Sequence, residues 1–308
     1  LSVSRPSNAG NAEVGYEAFA SQVGMAAVSS LRNVVSSRLN PEMHEHLLQR
    51  LWTGHFGDGV EYARPDERWK EMGFQGIDPC TDLRAGGLMA LLHLVHLVET
   101  CPALWKKLTD ANCGTAAFSK AVCLVNVTGS LIYYLQLYVG EQDSSAKQAQ
   151  LVDPCAGDGG NAAAAGVKRA GCGGRCCCGG SRQAALRGFE VLLISQVEDK
   201  QDEEMAANMY SAQSVDAITG GDDQLGRMEA GSPMFFFAEL FVIAAHELHL
   251  KMVELQKKYG ELGIFHFTHE GLSPVQVLLS RLLCQLDARP DLTCIVEERA
   301  GALRNVQR

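Results

Sequence analysis

Apolar residues recur every three or four positions along most of this chain, the spacing that places them on one face of an α-helix. The spacing predicts helices over the ranges 13–39, 41–52, 88–98, 102–108, 118–139, 233–259 and 273–286. The range 183–197 also fits a helix, although its central FEVLLISQV is compatible with a strand as well. Because no strands alternate with these helices, the pattern predicts an all-α fold, organised as a single helical bundle.

The polar stretches between the predicted helices define the expected domain organisation. Residues 141–182 are rich in Gly, Ala, Ser, Asp and Cys and contain almost no large apolar side chain. Such a stretch cannot bury enough surface to offset the entropy of ordering it, so we expect a disordered insertion. Residues 218–231 are a second loop insertion, and both lie within one domain over 13–260. We expect a disordered N-terminus over 1–12 and a helical C-terminal extension over 261–308.

Composition limits the class of protein. The chain has 308 residues, 46% of them hydrophobic and 20% charged, which is enough for one sizeable core and, by length alone, for two domains. A net charge of −9 argues against general nucleic-acid binding. The sequence has no apolar run of the roughly 18 residues that span a membrane, and its start lacks the basic and apolar regions of a secretory signal.

The pattern of the eleven cysteines favours a reducing compartment over a disulfide framework. Six are scattered and have the setting of free, buried thiols: Cys80, Cys101, Cys113, Cys123, Cys284 and Cys294. The other five form a cluster: Cys155, Cys172, Cys176, Cys177 and Cys178. An odd total with a local cluster favours a reducing compartment, the cytoplasm or the cytosolic face of a membrane. The cluster lacks two separated ligand pairs, so flexible low-complexity sequence is favoured over a zinc site, and acylation is a third alternative.

Histidine pairs are the other candidates for a metal site. His93 and His96, like His246 and His249, are three residues apart and share a helix face. Without a placed carboxylate, an HxxH pair is weak evidence for metal, and hydrogen-bonded or polar-face histidines are favoured. His44 and His46 are expected on the surface, and we predict no metal site.

The densest group of unusual residues lies in a turn that leads into the helix beginning near Leu88. Asp78 followed by Pro79 is typical of a helix N-cap and its first residue. Thr81 and Asp82 offer a second cap. The paired glycines at 86–87 indicate an irregular first helical turn, or a place where another backbone comes close.

Arg84 stands near the start of that helix, where the helix dipole mildly disfavours a cation. One interpretation is a salt bridge from Arg84 to Asp82 or Asp78. The other is that the guanidinium is held out for a phosphate-bearing partner. The residues alone leave both open, with the salt bridge as the simpler choice.

These residues together form a long, ungapped pattern: Trp69-x-x-x-Gly73-Phe74-Gln75-x-x-Asp78-Pro79-x-Thr81-Asp82-x-Arg84-x-Gly86. The pattern resembles the signature of the ELMO (engulfment and cell motility) domain. The resemblance extends to an LW pair ending at Trp52, to an Asn-x-Thr step at Asn126 and to the later segment MFFFAEL. Asn126 lies among apolar residues, and we expect its buried amide to hydrogen-bond a neighbouring backbone.

The resemblance implies a function. The chain is most similar in size to stand-alone ELMO-domain proteins, which are GTPase-activating proteins for Arf and Arf-like GTPases. Their proposed catalytic arginine corresponds to Arg84. This sequence has Leu83 where the family commonly has Phe and Ala85 where it commonly has Gly.

Roles for the other residues follow from the same resemblance. Asp82 and Thr81 would hold the loop, and Trp69 and Phe74 would anchor it. Gln75 would contact the partner or tie the turn together. GTP and Mg²⁺ would belong to the partner GTPase, so no cofactor of the chain's own is expected. We expect a cytoplasmic protein, with peripheral membrane association as a further expectation.

Two other functions remain open at this point. A non-catalytic interaction module, like the longer ELMO scaffolds that work with activators of Rac-type GTPases, would use the signature only as a structural turn. A divergent platform that no longer meets a GTPase is the third. The sequence contains no Walker-type, GxGxxG or GxSxG motif, so an independent nucleotide-binding or acyl-transfer enzyme has little support.

Overall fold

The computed structural model describes residues 9–109, 120–138, 182–193, 232–262, 265–288 and 294–305. This part of the chain is 79% helical and contains no strand, which confirms the all-α prediction. Its helices are α1 (Ala9–Ser36), α2 (Glu45–Phe56), α3 (Gly87–Thr100), α4 (Pro102–Thr109), α5 (Lys120–Tyr134), α6 (Arg182–Leu193), α7 (Pro233–Tyr259), α8 (Ser273–Ala288) and α9 (Cys294–Asn305). The helical alternative for the FEVLLISQV segment is therefore the correct one up to Leu193.

Short helical turns connect some of these elements. Three 3₁₀ turns join α2 to α3: Glu67–Lys70, Pro79–Thr81 and Leu83–Ala85. A π-helical stretch, His266–Leu272, leads directly into α8. The three 3₁₀ turns carry the sequence signature, so the candidate site is built on a compact connection rather than on a long helix.

Helix α7 is the centre of the core. It packs against α1, α3, α5, α6, α8 and α9. Phe236, Phe237 and Phe241 on this helix are fully buried, as is the carboxylate of Glu239. A helix that is apolar on most faces is stable only when it is surrounded, which is the case here.

The length and hydropathy of α7 are also those of a membrane-spanning helix. However, 72% of its most apolar window is buried inside the protein. Its apolar surface is already covered by the other helices, as expected of a core helix in a helical bundle.

The N-terminal boundary and the insertions can be compared with the predictions. Residues 1–12 were expected to be disordered, but α1 begins at Ala9, so that prediction is wrong for 9–12. Residues 1–8 lie outside the described part, as do the predicted insertions at 141–181 and 218–231 and the cysteine cluster. Arg182, assigned to the insertion, begins α6.

Helices α8 and α9 fall in the predicted C-terminal extension. Helix α8 packs on α6 and α7, and α9 packs on α7 and α4. Leu279, Leu283 and Leu286 of α8 are almost completely buried. The proposed domain boundary near residue 260 stays a prediction, but these helices complete the core.

Three side chains lie in surroundings that the sequence did not predict. His44 was expected on the surface, yet it is buried, and its Nδ1 accepts a hydrogen bond of 3.0 Å from the Asn40 backbone N–H. Tyr138 falls in the predicted apolar helix over 118–139 but is 51% exposed, because α5 ends at Tyr134 and the chain turns at Gln136 with φ 54°. Asn126 is half-buried rather than buried.

The histidine pair on α3 is buried and hydrogen-bonded. Nδ1 of His93 lies 3.0 Å from Oγ1 of Thr128, and Nε2 of His96 lies 3.0 Å from Oε1 of Glu239. Thr128 on α5 thus makes a buried polar contact two residues from Asn126, whose hydrogen bond to a neighbouring backbone stays a prediction. Of the five described cysteines, only Cys101 is buried and Cys294 is exposed, so the expectation of buried thiols is wrong for Cys294.

Candidate functional site

The signature turn is anchored by aromatic rings beneath it. Trp69 and Phe74 are buried, with ring centroids 5.7 Å apart, and Trp69 also contacts Trp52 at 5.1 Å. The indole N–H of Trp69 donates to the Ala63 carbonyl at 3.0 Å. Aromatic clusters of this kind bury large areas in defined geometry, so they fix the start of the turn.

Gly73 brings the turn against the start of α5. Its φ of 90° is a left-handed conformation that favours glycine. A Cβ at this position would lie 2.6 Å from the backbone N of Lys120. The Gly73 carbonyl instead accepts a hydrogen bond of 3.1 Å from the Ala121 N–H. Only glycine allows this approach.

The two carboxylates of the turn serve as internal hydrogen-bond acceptors. Asp78 accepts from the Cys80 N–H at 3.0 Å, so Asp78 is the N-cap predicted from the sequence. Asp82 does not cap a helix, and it accepts instead from the Gln75 N–H at 2.7 Å across the turn. The hydroxyl of Thr81 donates to the Asp78 carbonyl at 2.9 Å. These contacts close the loop on itself.

Arg64, which lies outside the signature, holds the turn through ion pairs. Its guanidinium lies 3.2 Å from Asp78 and 3.1 Å from Glu45 on α2. Glu45 also accepts a hydrogen bond of 2.7 Å from the Tyr62 hydroxyl. Burial and the neighbouring Glu45 raise the pKa of Tyr62, and burial followed by the charge of Asp78 raises the pKa of Cys80 to about 12. The Cys80 thiol is therefore uncharged at neutral pH, which argues against a nucleophilic role.

The paired glycines let α3 and α5 approach each other. Gly87 has φ 55°, and a Cβ at Gly86 would lie 2.6 Å from Cβ of Ala90 and 3.2 Å from Cγ2 of Thr128. Gly129 on α5 lies against the turn in the same way, since its Cβ would meet the Ala85 carbonyl oxygen at 3.1 Å. Both interpretations of the glycine pair, an irregular helix start and a close approach, are correct.

Arg84 is exposed at the surface of this packed turn. Both carboxylates proposed as its salt-bridge partners are used elsewhere, Asp78 by Arg64 and Asp82 by the Gln75 backbone. Within the described part of the chain, Arg84 has no ion pair. The neighbouring Leu83 is fully buried and Ala85 is exposed, so the two departures from the ELMO pattern leave the guanidinium in place.

An open groove of about 410 Å³ lies beside Arg84. We call it the arginine groove, and it is lined by Val35, Ser36, Ser37, Arg38, Leu39, Pro41, Cys80, Leu83, Arg84, Ala85, Gly86, Gly87, Ile132 and Tyr138. The floor and walls are largely apolar. The end of α1, the signature turn and the end of α5 thus meet around one concave surface.

The predicted site residues divide into two groups. Arg84 and Gly86 line the arginine groove, whereas Trp69, Gly73, Phe74, Gln75, Asp78, Pro79, Thr81 and Asp82 build or cover the turn without lining it. Gln75 is exposed, so its side chain is accessible although its backbone ties the turn. Asn126 does not line the groove either.

Sequence reasoning missed Arg38 and Tyr138. Both are exposed and both line the arginine groove. Arg38 lies 46 positions before Arg84 and follows the last turn of α1, where nothing in the apolar pattern distinguishes it from any solvated charge. No group of three or more His, Cys, Asp or Glu is placed to hold a metal ion in the described part of the chain.

Comparison with known proteins places this turn in a family. Residues 27–157, which include the signature turn, α2, α3 and α5, match the model of the ELMO/CED-12 family. The chain carries an ELMO/CED-12 domain. No solved structure matches this chain.

Named relatives share the same domain. ELMO domain-containing protein A of Dictyostelium discoideum is 33% identical over 84 residues, which is 27% of this chain and 8% of that protein. ELMO domain-containing protein 3 of Bos taurus is 43% identical over 56 residues, 18% of this chain and 15% of that protein. ELMO domain-containing protein 2 of Homo sapiens is 35% identical over 86 residues, 28% of this chain and 29% of that protein. The match therefore spans less than a third of each relative.

Helices α6 to α9 lie after the residues matched to the ELMO domain model. They nevertheless share the core with it, since α7 packs on α1, α3 and α5. The described residues that line the arginine groove, by contrast, all lie within the matched range.

Proposed function

We propose that this protein is a GTPase-activating protein for an Arf or Arf-like small GTPase and that Arg84 supplies the arginine finger. The observation that carries the proposal is the state of Arg84: among the described residues its exposed guanidinium has no ion pair, and it stands on a turn that hydrogen bonds and aromatic packing hold rigid. An arginine held for structure would have its charge satisfied by a neighbouring carboxylate.

The chemistry of GTP hydrolysis suits a single, well-placed arginine. Negative charge develops on the phosphoryl oxygens in the transition state, and an arginine inserted in trans stabilises that charge. The gain is a factor of about 10³ to 10⁵ in rate, or about 4–7 kcal/mol. A planar guanidinium makes two parallel hydrogen bonds to phosphate oxygens, whereas a lysine ammonium does not.

Rigidity supports the same role. A finger on a floating loop would lose entropy each time it entered the partner's site. Here the backbone on both sides of Arg84 is fixed, by Asp82 before it and by the α3–α5 contact at Gly86 after it. Under this proposal GTP and Mg²⁺ are brought by the GTPase, and the protein works in the cytoplasm or at the cytosolic face of a membrane.

The test is single-turnover GTP hydrolysis on a panel of Arf and Arf-like GTPases, with and without this protein. We expect acceleration by the wild-type protein, and we expect Arg84→Lys to remove nearly all of it at saturating concentration. Lysine keeps the charge but not the two-pronged contact. Arg299→Lys, at an exposed position on α9 outside the arginine groove, is the matched control and should retain full acceleration.

Two results would contradict the proposal. Full acceleration by Arg84→Lys would mean that another residue acts or that the GTPase supplies its own arginine. Binding to GTP-loaded GTPases without acceleration of any panel member would favour a non-catalytic interaction module. Circular dichroism of each variant checks that lost activity is not lost folding.

A further inference from the structure

Two arginines from separate parts of the chain face the arginine groove. Arg84 comes from the signature turn, and Arg38 comes from the segment that follows α1. This segment crosses the start of α3 closely, since a Cβ at Gly87 would lie 3.7 Å from the Ser37 carbonyl oxygen. The fold therefore brings a second cation to the surface that carries the proposed finger.

The backbone around Arg38 is fixed on both sides. The Ser37 N–H donates to the Val34 carbonyl at 3.1 Å, and the Ser37 hydroxyl donates to the Asn33 carbonyl at 2.8 Å, which closes the end of α1. On the C-terminal side of Arg38, the side-chain oxygen of Asn40 accepts a hydrogen bond of 3.0 Å from the Glu42 N–H. Arg38 stands exposed between these two anchors, so its position is set although its side chain is free to reach outward.

The charge of the groove is opposite to that of the protein. The whole chain carries a net charge of −9, yet the described residues that line the groove include two arginines and no Asp or Glu. The nearest carboxylates of the turn, Asp78 and Asp82, are already engaged by Arg64 and by the Gln75 N–H. A local positive surface on an acidic protein steers and selects an acidic partner.

The rest of the lining is suited to a protein segment rather than to a free anion. Val35 and Leu39 are half-buried, and Tyr138 is 51% exposed. Tyrosine and arginine are, with tryptophan, the side chains enriched at the energetic centres of protein interfaces. Apolar side chains beside the two arginines match a protein segment that carries apolar side chains next to its charge, which a free phosphate lacks.

We propose that Arg38, together with the apolar wall at Tyr138, docks a segment of the GTP-loaded GTPase that carries a carboxylate beside apolar side chains. This inference rests on the proposed function and gives the two arginines of one groove different roles. Arg84 acts on the phosphoryl oxygens during hydrolysis. Arg38 acts before hydrolysis, by pairing with the carboxylate of the bound segment and setting how tightly the GTPase is held.

The division predicts two different kinetic signatures. We expect Arg38→Gln to raise the concentration needed for half-maximal acceleration about five- to tenfold, while the rate at saturation stays within about twofold of wild type. Arg38→Lys should recover most of the lost affinity, because docking needs charge rather than a planar fork. This is the reverse of Arg84→Lys, which should lose rate at saturation. Tyr138→Ala should also raise the concentration needed for half-maximal acceleration and leave the rate at saturation unchanged.

Direct binding separates this inference from the proposed function. The panel GTPases, loaded with a slowly hydrolysed GTP analogue, are titrated with wild-type protein, Arg38→Gln and the control Arg299→Gln at low and moderate salt. We expect Arg38→Gln to bind more weakly than both wild type and Arg299→Gln. Its affinity should also depend less on salt than that of wild type. If the wild type binds but does not accelerate hydrolysis, the proposed function fails, and an Arg38-dependent affinity still supports the docking role.

Three outcomes would overturn the inference. The first is that Arg38→Gln binds the GTPase as tightly as wild type and reaches half-maximal acceleration at the same concentration. The second is a fall in the saturated rate with unchanged half-saturation, which would place Arg38 in the chemical step. The third is Arg38-dependent binding to inorganic phosphate or to vesicles containing phosphorylated phosphatidylinositol, with no effect of Arg38→Gln on GTPase binding. Because Arg38 is exposed, its substitution leaves the core intact.

Discussion

The buried side chain of His93 links the stability of the fold to pH. His93 is fully buried, stacked on the ring of Phe241 at 4.5 Å and hydrogen-bonded to Thr128. Burial, and secondarily the nearby His96, lower the pKa of His93 well below 6.5. Its Nε2 has no hydrogen-bond partner in the described structure, so the charged ring, which carries a hydrogen on both nitrogens, would hold a buried N–H without an acceptor.

This arrangement makes the folded protein less stable in acid. Below about pH 6.5 the unfolded chain binds a proton at His93 and the folded protein does not, so protonation favours unfolding. Stability should therefore fall as pH decreases from 6.5 to 5, and His93→Gln should reduce this slope by up to about 1.4 kcal/mol per pH unit.

Urea unfolding measured at several pH values gives the slope for wild type and variant. His269→Gln, at an exposed histidine of the π-helical stretch, serves as the control and should leave the slope close to that of wild type. An unchanged slope in His93→Gln would show that His93 titrates in the folded protein as it does in the unfolded chain.

Between elements, the close approach of α3 and α5 positions the signature turn. Gly86 ends the 3₁₀ turn that holds Arg84 and precedes α3, and it lies against Thr128 of α5. Gly129 on α5 accommodates the Ala85 carbonyl in turn. The finger is thus attached to the interface between two core helices.

Gly86→Ala tests the importance of this approach. The added methyl group would lie 2.6 Å from Cβ of Ala90 and 3.2 Å from Cγ2 of Thr128, so α3 or α5 must move. We expect a loss of about 1–3 kcal/mol in unfolding free energy and a lower stimulated hydrolysis rate at saturation. Gly59→Ala, where a Cβ meets nothing within 4 Å, is the control. Wild-type stability and rate in Gly86→Ala would contradict the role of the close approach.

At the scale of the whole molecule, one buried carboxylate joins distant parts of the chain. Glu239 on α7 is fully buried, and it bonds both His96 on α3, at 3.0 Å, and Arg304 on α9. The guanidinium of Arg304 also lies 5.9 Å from the Phe235 ring centroid. Helix α9 is therefore tied to the core by charge as well as by apolar packing.

Arg304→Ala should loosen this attachment. It removes one partner of a buried carboxylate, a change that costs about 3–5 kcal/mol in fully buried pairs, and the partial exposure of Arg304 places it at the lower end. Thermal unfolding and hydrogen exchange of α9 amides measure the effect. Arg299→Ala, exposed on the same helix, should be close to wild type. Equal losses in the two variants would mean that charge pairing with Glu239 does not hold α9.

The helical fold was largely predictable because apolar spacing is a local property of the sequence. Helices α1, α2, α3, α5, α7 and α8 each followed from it, within a few residues at the ends. The errors arose where the environment is set by distant residues. Tyr138 is exposed because the chain turns at Gln136. His44 is buried because the Asn40 N–H donates a hydrogen bond to its ring, while the Asn40 side chain accepts one from the Glu42 N–H at the turn before α2.

The sequence by itself determined the all-α class, the signature turn with its Asp78 cap, and Arg84 as the residue of interest, since these depend on neighbours along the chain. Only the tertiary structure decided that Asp78 and Asp82 are engaged elsewhere, which leaves Arg84 without an ion pair among the described residues. It alone brought Arg38 and Tyr138 to the same groove. Residues far apart in sequence meet only when helices pack, and no periodicity in the chain records which of them will meet.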